Sequence, residues 1–165
     1  MASERNDAML YREVQRFWLN RLLLAIDICL VVLTVALAVL PAALPTGADR
    51  GWALVGLGAP LLLTLASLKT EVSSNGVLYV GFHPIRRGRR AIAVREIERA
   101  EAVTYSPVGE FGGFGWRIGR GGSRAYNVAG NRGVRLDMVG GTSLVIGSQR
   151  PDALAAAIAG RMVMD

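Results

Sequence analysis

A chain of 165 residues with one histidine, one cysteine and a formal net charge of +6 has room for one small core beside any apolar anchor, and it excludes an internal disulfide framework and a cysteine-based metal centre. The arginine surplus points to anionic partners, whether lipid headgroups, acidic proteins or nucleic acid.

Residues 1–7 are polar. Leu10, Val14 and Phe17 then recur every three to four positions among Arg12, Glu13, Gln15 and Arg16, a spacing that predicts a cytosolic amphipathic helix within segment 1–21. Two apolar runs follow, 22–40 and 53–68, joined by a short segment that carries Asp49 and Arg50 as its only charges. A helix over the first run would be about 28 Å long, close to the ~30 Å of a bilayer core. The expectation is therefore a transmembrane helical hairpin over 22–68. Arginines before the first run and Lys69 with many arginines after the second place both termini on the cytoplasmic side of the inner cell membrane, in a multi-pass arrangement. Asp27 is the polar exception within the first run. A proton pathway normally needs several such groups, so structural pairing is its simpler reading.

After Lys69 the period changes from helical to alternating. Thr70–Ser73 and Val77–Phe82 flank Asn75-Gly76, a dipeptide suited to a tight hairpin. Strands are also expected at 91–94, 100–105, 116–118, 125–128, 133–139 and 143–146, with a glycine-rich loop over most of 107–124. Pro151 and Asp152 open a helix over 151–162, with Leu154, Ile158 and Met162 on one stripe. Residues 69–165 thus read as an α+β unit, a strongly bent antiparallel sheet or barrel closed by one helix.

From Thr70 onward the chain resembles bacterial PH-like (pleckstrin-homology-like) domains. The resemblance rests on the hairpin at Asn75-Gly76, on Ile92–Ile97, Gly133–Leu136 and Leu144–Ser148, and on Pro151–Leu154 opening the last helix. The layout is similar to that of uncharacterised bacterial membrane proteins in which two transmembrane helices precede such a domain. It implies an interaction module with no catalytic residues to carry over.

The residues themselves spell out no reaction. His83 stands alone, Glu96, Glu98 and Glu101 alternate with arginines, and Gly113-Phe114-Gly115 lacks the setting of a dinucleotide loop. No cofactor, metal or nucleic acid is expected. Two basic sets are candidates: Arg86, Arg87, Arg89 and Arg90 for lipid headgroups, and Trp116, Arg117, Arg120, Tyr126, Asn127, Asn131 and Arg132 for a partner or ligand. The expected function is non-catalytic recruitment of a protein or lipid partner by a membrane-tethered scaffold or sensor. The partners envisaged are the bilayer and a membrane or cytosolic protein, with self-association left open. The alternative is a small anionic ligand- or substrate-handling accessory subunit of a membrane enzyme, using loops 111–133.

Overall fold

A computed structural model describes residues 8–39, 58, 65–84 and 89–163. Strand β1 (Met9–Arg16) leads through a 3-10 turn (Phe17–Leu19) into helix α1 (Arg21–Val39). After the apolar segment come β2 (Ser67–Ser73), β3 (Val77–His83) and β4 (Arg90–Ala93), which with β1 form a four-stranded sheet in the order β1-β2-β3-β4. The second sheet contains β5 (Ile97–Thr104), β6 (Gly115–Ile118), β7 (Arg124–Asn127), β8 (Arg132–Met138) and β9 (Ser143–Gly147), in the order β5-β8-β9-β7-β6. Short helix α2 (Pro107–Phe111) links β5 to β6, and α3 (Pro151–Met162) closes the chain.

The alternating pattern decides which faces meet. Leu68 pairs with Phe82, Thr70 with Val80 and Val72 with Leu78, so the apolar side of the β2–β3 hairpin faces inward. Val134, Leu136, Leu144 and Ile146 do the same for the second sheet, and Leu154 and Ile158 of α3 join them in one core. Each such side chain contributes roughly 1.5–3 kcal/mol on burial. Gly76 takes the expected turn with φ 76°, where a side chain would be strained. At Gly133 a Cβ would collide with the Ile146 carbonyl oxygen, so the β8–β9 approach itself requires glycine.

The hairpin at Asn75-Gly76, the later strands and the 151–162 helix form as expected. Other expectations are corrected. Residues 9–16 form a strand paired antiparallel with β2, not an amphipathic helix. Tyr11, Glu13 and Gln15 turn inward with period two, while Leu10 and Val14, which suggested the helix, are exposed. The β domain therefore takes strands from both sides of the apolar segment. Arg16 pairs with Ser67, and the Phe17 amide donates to the Ala66 carbonyl at 3.3 Å, so 17–66 leaves and re-enters at one place.

The two-helix transmembrane hairpin is corrected as well, and with it the multi-pass inner-membrane placement. Among the described residues no helix is long and apolar enough to cross a membrane. Helix α1 is continuous but starts at Arg21 and carries Asp27 within it, and the charge-free stretch that follows, Ile28–Val39, is about 18 Å at ~1.5 Å per residue. Most of the second run, 53–68, lies outside the described residues, but Ser67 and Leu68 belong to β2. The single bent antiparallel sheet is replaced by two sheets, and β7 runs parallel to β9.

The glycine-rich stretch also hides α2. Ser106 caps it by accepting from the Gly109 amide at 3.0 Å, Glu110 reaches back to the Ser106 amide at 2.7 Å, and Gly112 ends it with φ 71°. Ser106-Pro107 followed by Glu110 and Gly112 is a legible helix signature that glycine density obscured.

Candidate functional site

The predicted ligand set does not assemble. Tyr126 is buried in the core and stacks on Phe82 with ring centroids 5.9 Å apart. Asn127 is fully buried, and its Oδ1 accepts from the Gly115 amide at 2.9 Å, holding the start of β6. Arg132 pairs with Asp152 at 3.2 Å at the start of α3, and the Asn131 carbonyl accepts from the Tyr105 amide at 2.8 Å. Arg120 lines a groove of about 360 Å³ beside α2, in which Arg135 meets Glu110 at 3.5 Å. Trp116 and Arg117 adjoin on exposed strand β6 but face opposite sides of it, and Arg117 Nε donates to the Phe114 carbonyl at 2.9 Å. Consecutive positions of a strand point to opposite faces, which scatters a set that is contiguous in sequence.

Of the arginine tip, Arg86 and Arg87 lie outside the described residues. Arg89 folds back to Glu71 at 3.5 Å and over the Tyr79 ring at 4.5 Å, and Arg90 is half-buried on β4. Arg12 reaches the same Glu71 at 3.3 Å. Lys69, Glu71, Tyr79, His83 and Arg89 border a shallow groove of about 250 Å³ on the outer face of the first sheet. Asp27 is buried on a helix whose other large side chains are mostly exposed, and its Oδ1 has no hydrogen-bond partner among the described residues. Cys29 is free and exposed, and no group of three His, Cys, Asp or Glu side chains among the described residues could hold a metal.

A polar seam missed in the sequence binds β1 to the far end of β9. The buried Glu13 carboxylate accepts from the Tyr11 hydroxyl, from Ser148 Oγ at 2.6 Å and from the Gln149 amide at 2.8 Å. Gln15 donates to the Gly147 carbonyl at 2.7 Å, and the Arg150 guanidinium lies 5.3 Å from the Tyr11 ring centre. Burial first, then the neighbouring Glu13, pushes the Tyr11 hydroxyl above its ordinary value. Burial does the same to Tyr105 and Tyr126. The Asn127 amide tempers the rise at Tyr105, although it makes no well-formed hydrogen bond with that hydroxyl. These contacts hold the two sheets together.

Asn20 has two tasks. Its Oδ1 accepts from the Leu22 and Leu23 amides at 3.1 and 3.3 Å, which caps α1, and its Nδ2 donates to the Val128 carbonyl at 3.0 Å. The root of α1 is thereby fixed to the end of β7. Beyond it, Leu22, Ile26, Ile28, Val32, Leu33 and Val35 are exposed, with Arg16 stacked 4.5 Å over exposed Trp18 at the base. The remaining signal for this surface was in the sequence: the run is apolar on all sides, with no polar face to turn outward.

No protein-family model matches the chain, and no curated protein is significantly similar to it.

Proposed function

We propose that this chain is a non-catalytic interaction protein, an adaptor in which α1 seats in an apolar groove of a partner protein and the β domain is held beside that partner. The observation that carries the reading is the exposed apolar surface of α1, locked to the β domain through Asn20. Apolar area of this extent normally marks an interaction site, and Arg16, Trp18 and Arg21 supply a polar and aromatic rim at its base. Fixing the helix root holds the β domain at a set position, so weak contacts made by it gain from high effective concentration. The resemblance of residues 70–165 to bacterial PH-like domains supports the same reading, because such domains serve chiefly as interaction modules.

A photo-crosslinker at Val32 tests it, with one at exposed Val139 as the control. A discrete protein adduct from Val32 alone, lost on Leu33→Asp, is the expected result. Adducts only to lipid, only to a second copy of the chain, or equally from both positions would overturn it.

A further inference from the structure

Strand β6 is an edge. It pairs with β7 on one side, and among the described residues no strand lies on the other. Residues in an antiparallel ladder alternate between exchanging hydrogen bonds with the partner and pointing those groups away. The Gly119 amide donates to the Ser123 carbonyl at 2.8 Å, one step beyond the Ile118–Arg124 pair, and this sets the phase. Arg117 therefore bonds towards β7, while the N–H and C=O groups of Trp116 and Ile118 point outward from the sheet.

The side chains at those two positions are exposed as well, Trp116 by 53% and Ile118 by 60%. Trp116 pairs with Tyr126 and shares its face, so Trp116 and Ile118 extend the core side of the sheet past the cover that buries Tyr126. Arg117 faces the opposite way, its guanidinium steadied by the Phe114 carbonyl, and Arg120 and Arg124 are exposed nearby in the chain. Open backbone groups, an apolar shelf and a basic rim thus coincide on four residues and the turn after them.

We infer that β6 is a docking edge for an extended, acidic segment of a partner protein, which adds to the second sheet as a further strand. Main-chain hydrogen bonds to Trp116 and Ile118 would hold it, and alternate side chains would give the choice of partner. Residues on the Trp116 and Ile118 side of the added strand are apolar, and residues on the Arg117 side are Asp or Glu. A second copy of β6 is a poorer occupant. In the symmetric register centred on Arg117 it would set that arginine against itself. This inference names the surface by which the β domain recruits, and so rests on the adaptor reading, but its test does not involve α1.

Fluorescence anisotropy of the full chain with a labelled peptide of alternating Val and Glu, and with its counterpart carrying Lys for Glu, measures the preference. Hydrogen exchange at the Trp116 and Ile118 amides reads the docking edge directly. The expected result is binding of the acidic peptide alone, with both amides becoming protected. Ile118→Pro removes an outward donor without removing a rung of the β6–β7 ladder, and lowers affinity about tenfold or more. Arg117→Glu reverses the preference to the Lys peptide, and it reports even where the proline variant fails to fold. Three outcomes would overturn the inference: no protection of these amides by the acidic peptide, equal binding of both peptides, or concentration-dependent dimerisation that protects the same amides without peptide. Loss of the Val32 adduct with peptide binding intact would instead count against the seating of α1 alone.

Discussion

Strand β1 and helix α1 follow one another in the chain, yet the first buries Glu13 and Gln15 while the second exposes Leu22, Val32 and Leu33. The difference lies in what each element meets. Strand β1 lands where the β9–α3 connection presents a hydroxyl, an amide N–H and a carbonyl, so its polar side chains lose water and gain directed partners. Helix α1 exposes side chains that are almost all apolar, with little that is directional to offer. Its root is tied to the β domain by the amide of Asn20. Burial in this protein follows available hydrogen-bond partners as much as side-chain polarity, and the apolar surface left over is what a partner can use.

The most damaging change to this contrast is Glu13→Ala, which strands the Tyr11 hydroxyl, Ser148 Oγ and the Gln149 amide. Urea denaturation should show a loss of about 3 kcal/mol. A loss below about 1 kcal/mol would mean that the seam does not hold β1 in place. Asn20→Ala should cost about 1–2 kcal/mol, because it removes a helix cap and the tie to Val128 together. Its sharper readout is the Val32 adduct, which should spread over several products once the root of α1 is free.

A smaller effect appears at alkaline pH. Tyr11, Tyr105 and Tyr126 hold their protons above the ordinary value of 10.0 in the folded state, so the unfolded chain releases its protons first. Their contribution to stability is complete below about pH 10 and falls away as pH rises through the raised folded values. Tyr11→Phe should flatten the decline above about pH 10 in thermal melts. An unchanged slope would show that Tyr11 ionises alike in both states. The smallest effect belongs to α1: Val32→Ser should move stability by no more than about 0.5 kcal/mol, since that side chain is 62% exposed, while it weakens capture of the partner.

Much of the second half of the chain was legible. Asn75-Gly76 carries its turn in its own backbone freedom, and Val134, Leu136 and Met138 alternate with Arg135 and Asp137 as a half-buried strand must. Pro151-Asp152 and the Leu154–Ile158 spacing define α3 equally well. The candidate site was far less legible. Seven residues from 116 to 132 looked like one surface because they are close in sequence, but a strand sends neighbours to opposite faces. Tyr126 and Asn127 became interior supports, and Arg132 became a tie to α3. Trp116 and Arg117 stay exposed on β6, and their interest comes from the open edge beside them, a property of strand order that no local pattern encodes.

By itself the amino-acid order determined the β2–β3 hairpin, the later strands and α3, and the apolar character of 22–40, because turn geometry, side-chain period and hydrophobicity act over a few residues at a time. Tertiary structure alone decided that residues 9–16 join the β domain as an edge strand, that Glu13 is an interior carboxylate and that β6 stays open. Those outcomes depend on which distant backbone groups come within hydrogen-bond reach: Ser67 for Arg16, Gln149 for Glu13, and no strand among the described residues for the outer side of Ile118.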